Sequence, residues 1–384
     1  MRFEFATATR IIFGPGTIRE VAPEAAKMVK RAFVITGRSP ERARPLLEQL
    51  NAHQIGYVTF NVPSEPTTTI VNEAVEQARL SKSDLVIGIG GGSVLDTGKA
   101  IAAMLTNSGT LEDYLEVVGA GLPLTKTPAP YIAIPTTAGT GAEVTRNAVL
   151  AVPEKQVKVS MRSPLMLPRL AVVDPELTHS MPPSTTASTG LDALTQLIEA
   201  YVSNKANPLT DGICRQGLKR AARSLRRAFE NGSDSNARQD MALASLFSGL
   251  ALANAKLGAV HGFAGPLGGM IFAPHGVICA RLLPFVYEAN VKALQSREPD
   301  SPALARFDEI AQIVTGELSA RAADGVEWIQ NLCKALTVPH LAQFGLKELD
   351  FPTVVAKAQK SSSMKGNPIP LTDDELMRIL KKSQ

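Results

Sequence analysis

Three residues in the second half of the chain have side chains that can hold a divalent transition metal. His261 and His275 lie 14 residues apart in the segment VHGFAGPLGGMIFAPHG, and Asp192 comes earlier, in GLDALTQLIEAY. One carboxylate and two imidazoles form a workable ligand set for such a metal. Gln196, four residues after Asp192, would share a helix face with it. Each residue of the set also has an ordinary alternative: Asp192 could pair within its helix, His261 could be a hydrogen-bonded core residue and His275 could close a turn.

A glycine-rich turn in the first half has the features of a phosphate-binding loop. The turn GIGGGS, at residues 88–93, follows the apolar run LVI and precedes a helical stretch. Glycines at a strand-to-helix turn let a phosphate approach the backbone, and the helix N-terminus presents free N–H groups and a positive dipole end. The spacing matches neither a Walker loop nor the GxGxxG fingerprint. Close packing of the strand against the helix is the alternative explanation for these glycines.

A second polar loop, PTTAGTG at residues 135–141, also follows an apolar run. Hydroxyls and amides at the carboxyl edge of a parallel sheet are where such folds bind ligands. A threonine- and glycine-rich turn is a weak signal alone, but two such loops on successive strands favour a nucleotide crevice.

The elements that would position these residues change in type near residue 180. Before that point, short all-apolar runs alternate with helical stretches, which is typical of a parallel sheet buried on both faces. The predicted strands are Ala32–Thr36, Tyr57–Asn61, Leu85–Ile89, Tyr131–Ile134 and Ala171–Val173. We therefore predict an α/β domain with a Rossmann-like, doubly wound parallel sheet over residues 1–180.

Helical patterns dominate after the breaker cluster MPPST at residues 181–185, and no convincing strand is visible there. We therefore predict an all-α domain over residues 181–384. The predicted helices are Thr185–Tyr201, Pro208–Phe229, Ser235–Leu257, Val277–Lys292, Pro302–Thr315 and Ala320–Leu336.

The composition excludes several classes of protein. The chain has 384 residues, of which 45% are hydrophobic and 20% charged, as expected for folded domains rather than disorder. A net charge of +4 gives no reason to expect nucleic acid or a membrane as partner. Three widely spaced cysteines encode neither a disulfide framework nor a zinc ribbon, which favours a cytoplasmic setting. The uncharged segment at residues 257–280 has six glycines, two prolines and two histidines, so we interpret it as buried and functional rather than membrane-spanning.

The ordered motifs GGGSVLDTGK, PTTAGTGAEVT, GLDALTQLIEAY, AVHGFAGPLGG and APHG resemble the iron-containing (group III) alcohol dehydrogenases. The resemblance extends over nearly the whole chain, from RIIFGPG to the last helices. It implies a dehydroquinate synthase-like fold, with a dinucleotide on the first domain and a metal and the substrate on the second. It also implies metal-assisted hydride transfer between NAD(P)(H) and a primary or secondary alcohol, an aldehyde or a ketone. A homodimer or larger homo-oligomer is expected.

The resemblance also assigns roles to individual residues. Asp192, His261 and His275 would be the catalytic metal ligands, with Gln196 where the family usually has a fourth histidine. A second departure is Gly265, where the family often has a histidine proposed for proton relay. We expect iron or zinc, held less tightly than by one aspartate and three histidines. The residues implied in cofactor binding are Gly91, Gly92, Ser93 and Asp96 at the pyrophosphate, Thr136, Thr137 and Thr140 at the nicotinamide, and Lys158 at the ribose.

The residues after the strand AFVIT bear on the choice of cofactor. An acidic residue there normally accepts the 2′-hydroxyl of NAD and repels a 2′-phosphate. The family commonly has aspartate at that position, and this chain has Gly37, followed by Arg38 and Ser39. Arg38 and Ser39 offer charge and hydrogen-bond donors to a phosphate, which predicts a preference for NADP(H) over NAD(H). The alternative is that Arg38 is an ordinary surface arginine.

Three other functions are considered beside the dehydrogenase. A maleylacetate-type oxo-acid reductase would have weak or no metal dependence, and an inactive nucleotide-binding protein would follow from the lost histidines. A dehydroquinate synthase-like lyase would need several lysines or arginines around the metal, and none closely flanks the candidate ligands. The motifs are otherwise intact, which favours an enzyme acting on a small alcohol or carbonyl compound.

Overall fold

The computed structural model describes residues 2–155 and 157–384, which form two compact units. The first, here called the sheet unit, contains Thr7–Thr137 and Gly141–Thr178. The second, here called the helical unit, contains His179–Gln384, the short stretch Ala138–Thr140 and the N-terminal residues before Thr7.

The sheet unit is built on a parallel sheet. Its described strands are β1 (Ile11–Phe13), β2 (Arg31–Thr36), β3 (Gly56–Asn61), β4 (Leu85–Gly90), β5 (Tyr131–Pro135), β6 (Asn147–Val152), β7 (Val157–Arg162) and β8 (Leu170–Val173). Six of them form the sheet in the order β1-β8-β5-β4-β2-β3, with all neighbours parallel. The five predicted strands are confirmed as β2, β3, β4, β5 and β8.

Two parts of the sheet unit were not predicted as strands. The short strand β1 pairs with β8 at one edge, and β6 and β7 form a separate antiparallel hairpin. Side chains in β6 alternate between more and less buried positions, unlike the all-apolar runs of the central strands. The hairpin therefore has the alternating pattern of a strand with one face exposed.

Helices cover both faces of the sheet, which explains why its strands are apolar throughout. They are α1 (Val21–Ala26), α2 (Arg44–Ala52), α3 (Thr68–Leu80) and α4 (Gly92–Thr106). The chain runs outward from β2 to β3 and then returns to place β4 on the other side of β2. The strand order thus reverses between β2 and β4, and ligands of such sheets bind at the carboxyl ends of the strands at that point.

Two glycines let α4 lie close to the sheet. A Cβ atom at Gly98 would come within 2.6–2.8 Å of the Tyr131 ring, and one at Gly88 would come within 2.5 Å of the Tyr131 hydroxyl. That hydroxyl donates a hydrogen bond to the Leu95 carbonyl at 3.1 Å. The absence of these two side chains therefore makes room for the ring that joins α4 to β4 and β5.

The helical unit packs its helices around one apolar core. They are α5 (Pro183–Val202), α6 (Pro208–Glu230), α7 (Ser235–Ala255), α8 (Ala259–Met270), α9 (His275–Arg297), α10 (Pro302–Thr315), α11 (Ala322–Ala335), α12 (Phe351–Lys360) and α13 (Asp373–Ser383). The six predicted helices are confirmed, and α8, α12 and α13 are additional. Within the described chain, only the pair α7 and α8, bent by 99°, has the length and apolar composition of a membrane span, and neither helix has them alone.

Candidate active site

Helix α5 is the central element of the candidate metal site. Residues from Gly190 to Val202 are buried without interruption, so polar side chains on this part of the helix face protein rather than solvent. Asp192, Gln196 and Glu199 are each at most 4% exposed. Their spacing of four and three residues places all three on one helix face.

Two further helices bring the histidines to Asp192. His261 lies in the first turn of α8 and His275 is the first residue of α9. Nε2 of His261 is 3.2 Å from Oδ1 of Asp192, and Nε2 of His275 is 3.8 Å from the same oxygen. The structure therefore brings together the three residues that the sequence indicated as a ligand set.

A cysteine that the sequence did not indicate as a metal ligand completes this cluster. Cys279 follows His275 by one turn of α9, and its Sγ lies 3.7 Å from Nε2 of His261 and 3.6 Å from Nε2 of His275. Ligand atoms of Asp192, His261, His275 and Cys279 all lie within 4.8 Å of one another. The i, i+4 spacing of His275 and Cys279 was the available signal in the sequence.

Glu199 holds His261 in place and was also missed. Its Oε2 lies 2.6 Å from Nδ1 of His261, and its Oε1 accepts a 2.6 Å hydrogen bond from the backbone N–H of Val260. A carboxylate on Nδ1 keeps that nitrogen protonated and orients the ring, so that Nε2 is the nitrogen from which a metal would displace a proton. The Nε2 atom is the one that faces Asp192 and Cys279.

Gln196 is buried beside this cluster with an unused acceptor. Its side-chain Oε1 is inaccessible and has no hydrogen-bond partner among the described residues. A buried acceptor without a partner costs about 1–3 kcal/mol, and such an atom in a native site calls for an explanation. The orphaned oxygen is consistent with a site built to receive a further group.

The charged groups of the cluster shift one another's pKa values. Burial opposes ionisation of Asp192, but His275 and His261 outweigh it and hold the pKa of the carboxyl below its usual value. Burial likewise disfavours charge on His261, but Cys279, Asp192 and Glu199 raise its pKa well above the ordinary range. The pKa of His275 is raised by Cys279 and Asp192 against the effect of burial. The site thus concentrates negative charge that a cation would balance.

The chemistry of the donor set fits a resident divalent metal. Carboxylate, imidazole and thiolate are the donor types of zinc and iron sites, and nitrogen and sulfur donors disfavour magnesium and calcium. The His275 side chain is 41% exposed, whereas those of Asp192 and His261 are at most 7% exposed. The cluster is therefore anchored in the core and accessible from the His275 side.

The sheet unit carries the candidate phosphate site at the start of α4. Gly91 is the N-cap of this helix in an extended conformation, and no side chain caps the helix. Gly92 and Ser93 then present first-turn N–H groups that have no partner within the helix. A Cβ atom at Gly37 would lie 3.5 Å from the Val94 side chain, so the end of β2 adjoins this helix start.

The threonine loop divides between the two units. Thr136 donates its backbone N–H to the Gly90 carbonyl at 2.9 Å, and a Cβ atom at Gly91 would lie 3.4 Å from the Thr137 side chain. These two threonines therefore adjoin the glycine turn. Thr140 belongs to the helical unit, so the structure does not gather all three into one unit.

The remaining predicted cofactor residues are engaged within the sheet unit. Asp96 pairs with the Lys99 ammonium at 2.9 Å and accepts the Val149 N–H at 3.0 Å. Lys158, on β7, pairs with Glu65 at 2.7 Å. Asp96 thus ties α4 to the β6–β7 hairpin.

Arg38 and Ser39 follow Gly37 at the end of β2. Nε of Arg38 donates to the Pro63 carbonyl at 3.3 Å, and the Gly37 carbonyl accepts a hydrogen bond from Asn61 at 2.5 Å. These contacts hold the backbone after β2 close to the end of β3. Both lie at the carboxyl ends of the parallel strands, where β4 leads into α4.

Comparison with known proteins agrees with this architecture in both halves of the chain. Residues 8–175 match the family model "Iron-containing alcohol dehydrogenase", and residues 186–384 match "Fe-containing alcohol dehydrogenase family, C-terminal". Alcohol dehydrogenase 4 of Schizosaccharomyces pombe is 37% identical over 97% of this chain and 87% of its own length.

Solved structures give the same result. A 1,3-propanediol oxidoreductase superposes with a TM-score of 0.92 at 34% identity, covering 100% of both chains. The sulfoacetaldehyde reductase from Bifidobacterium kashiwanohense, solved in complex with NAD⁺, has a TM-score of 0.88 at 28% identity and covers 100% of this chain and 99% of its own.

These matches do not favour the lyase, the oxo-acid reductase or the inactive binding protein considered from the sequence. They support an oxidoreductase that acts on an alcohol or carbonyl compound, in a family that uses a nicotinamide cofactor and a divalent metal. The chain belongs to the iron-containing alcohol dehydrogenase family.

Proposed function

We propose that residues 181–384 bind the divalent metal through Asp192, His261 and His275, and that residues 1–180 bind the nicotinamide dinucleotide. The observation that supports the metal assignment best is the convergence of three helices on one Asp192 oxygen, with both Nε2 atoms within 3.8 Å of it. The cofactor assignment is supported by the uncapped start of α4 beside the strand-order reversal.

The metal, when bound, supplies Lewis-acid polarisation of the substrate oxygen during hydride transfer. Asp192 contributes the negative charge that offsets a dication in a buried site. Glu199 keeps Nδ1 of His261 protonated, so that Nε2 is the nitrogen that would give up its proton to bind the metal. The Asp192 and Glu199 carboxylates therefore set both the charge and the ring orientation of the site.

Gln196 has a supporting role in this proposal. Its amide oxygen is neutral and a weaker ligand for iron or zinc than an imidazole nitrogen. We assign the orphaned Oε1 to accept a hydrogen bond from the substrate hydroxyl or from a water at the site. The metal is then held less tightly than it would be with a histidine at this position.

Proton transfer cannot use a side chain at position 265, because the residue there is glycine. The space around Gly265 is open, since a Cβ atom there would meet nothing within 4 Å. We propose that the substrate proton moves through water or through a ribose hydroxyl of the cofactor.

The choice between the two nicotinamide cofactors depends on the end of β2. Gly37 places no carboxylate beside the adenosine ribose, so a 2′-phosphate meets no repulsion there. Arg38 and Ser39 would donate to that phosphate. We therefore propose a preference for NADP(H) over NAD(H).

The experiment is a rate measurement with NADH and NADPH on a panel of alcohols, aldehydes and oxo-acids. Asp192→Asn keeps the side-chain shape and removes the charge, so it should abolish metal-dependent turnover, while Asp300→Asn, at an exposed position, should not. Full activity of Asp192→Asn would contradict the metal assignment.

The homo-oligomeric state and the cytoplasmic setting stay predictions. Light scattering of the purified protein tests the oligomeric state.

A further inference from the structure

We propose that Cys279 is a ligand of the metal in this site, so that the donors are one carboxylate, two imidazoles and one thiolate. The inference rests on the metal-binding function proposed above and specifies this chain's own version of the site. The Sγ atom of Cys279 is 3.7 Å from Nε2 of His261 and 3.6 Å from Nε2 of His275.

The two sulfur–nitrogen distances, which also suit hydrogen bonds in the metal-free site, match the spacing of two ligands on a shared metal. In a tetrahedral site with metal–sulfur bonds of about 2.3 Å and metal–nitrogen bonds of about 2.0–2.1 Å, sulfur and nitrogen lie about 3.6 Å apart. The Asp192 oxygen, at 3.2 and 3.8 Å from the two Nε2 atoms, is at a similar spacing. Four donors from three helices thus lie within 4.8 Å of one another, close enough to share one metal.

The surroundings of Cys279 differ from those of the other two cysteines. Cys333 donates to the Ala280 carbonyl at 3.4 Å, and burial raises the pKa of its thiol to about 12. Cys214 is fully buried in the apolar core of the helical unit. Cys279 is equally buried but faces two imidazole nitrogens and a carboxylate, so its neighbours are ligand atoms rather than hydrocarbon.

The orphaned acceptor of Gln196 is a second, independent sign of a site for a further group. Its Oε1 is buried without a partner one helical turn from Asp192. The amide is a weak donor to zinc or iron, and a thiolate is a strong one. A thiolate from α9 therefore supplies the strong fourth donor that Gln196 on α5 does not.

A thiolate ligand changes which metals the site prefers. Sulfur donors favour zinc and cobalt over manganese and magnesium, which prefer oxygen. We therefore expect this chain to select zinc or cobalt over manganese more strongly than a site with only nitrogen and oxygen donors.

Spectroscopy of the metal-loaded protein tests the inference without reference to turnover. Cofactor-free protein loaded with Co²⁺ should show a near-ultraviolet sulfur-to-cobalt charge-transfer band. X-ray absorption of the zinc-loaded protein should show one sulfur neighbour at about 2.3 Å beside nitrogen and oxygen at about 2.0–2.1 Å. Cys279→Ser should lose the band and the sulfur neighbour and should weaken metal binding at least about tenfold. Cys333→Ser, which alters another buried thiol, should leave the charge-transfer band, the sulfur neighbour and the metal affinity unchanged.

The outcomes separate this inference from the function on which it rests. Metal bound with only nitrogen and oxygen neighbours would overturn the role of Cys279 and leave the site at Asp192, His261 and His275 intact. The absence of any bound metal in the unaltered protein would overturn both. Because the sulfur neighbour is sought in the unaltered protein, the inference stays falsifiable even if Cys279→Ser does not fold.

Discussion

Glu199 Oε2 lies 2.6 Å from Nδ1 of His261, although the two residues belong to different helices and are 62 positions apart in the chain. The same carboxylate also accepts the backbone N–H of Val260, so it fixes the ring and the backbone that carries it. In the proposed metal site, this contact would orient the imidazole before a metal binds.

Glu199→Gln should therefore weaken the metal affinity by about 10–100-fold while the protein stays folded. The amide oxygen can replace one hydrogen-bond acceptor, but it lacks the charge that orients the ring. Competition with a chromophoric chelator measures the affinity, and circular dichroism checks the fold. Glu76→Gln, at an exposed position, is the control, and equal affinities in the two variants would contradict a positioning role for Glu199.

Gly37→Asp should shift the cofactor preference toward NAD(H) by about tenfold or more in kcat/KM, because a carboxylate would repel the 2′-phosphate. The substitution is sterically acceptable, since a Cβ atom would lie 3.5 Å from the Val94 side chain. Arg38→Ala should shift the preference in the same direction by removing a phosphate contact. Comparable kcat/KM values for NAD and NADP in the unaltered protein would show that the proposed preference is wrong.

Burial raises the pKa of Glu143 to about 7 from its usual 4.5, against the opposing effects of its own backbone N–H and of Lys99. The folded protein therefore binds this proton more tightly than the unfolded chain does. Protonation of Glu143 therefore contributes roughly 3 kcal/mol to the free energy of unfolding. This contribution is fully present below about pH 4.5 and is lost as the pH rises toward about 7.

Glu143→Gln should abolish that loss and make the protein more stable than the unaltered chain at pH 8 by up to about 3 kcal/mol. Urea unfolding at pH 5 and pH 8 measures the difference. A variant whose stability follows the same pH dependence as the unaltered protein would show that Glu143 does not titrate in this range.

Gly98→Ala should destabilise the sheet unit by about 1–3 kcal/mol, because its Cβ atom would enter the Tyr131 ring. Gly212→Ala is a matched control in an exposed position of α6, where a Cβ atom meets nothing within 4 Å. This control should stabilise the protein by about 0.5–1 kcal/mol through helix propensity. The same sign of change in both variants, measured by urea unfolding, would refute the packing argument.

Sequence patterns predicted those parts of the fold in which the local residue pattern is typical of the element that forms there. The central strands are apolar throughout and are bounded by turn residues, so β2, β4 and β5 could be recognised directly. Helix α8 could not, because AVHGFAGPLGGM has four glycines and one proline within twelve residues. Tertiary packing forms this helix, since Phe263 and Leu267 are fully buried in the core.

The candidate site was predictable only where residue types are rare. Asp192, His261 and His275 stood out because their side chains suit a metal and few histidines are present. Cys279 and Glu199 also contact His261, but these contacts depend on how α5, α8 and α9 cross. Helix crossings are set by packing between distant segments, which spacing along one helix does not reveal.

The most direct test of the account is a titration of metal-depleted protein with Zn²⁺, Fe²⁺ or Mn²⁺, following reduced nicotinamide oxidation by an aldehyde. We predict that the depleted protein is inactive and that activity rises to a plateau at about one metal per chain, as a single ligand cluster with a position left for the substrate requires. His261→Ala should remain inactive at every metal concentration. An undiminished rate after chelation, with His261→Ala fully active, would contradict the central claim that this cluster is the catalytic metal site.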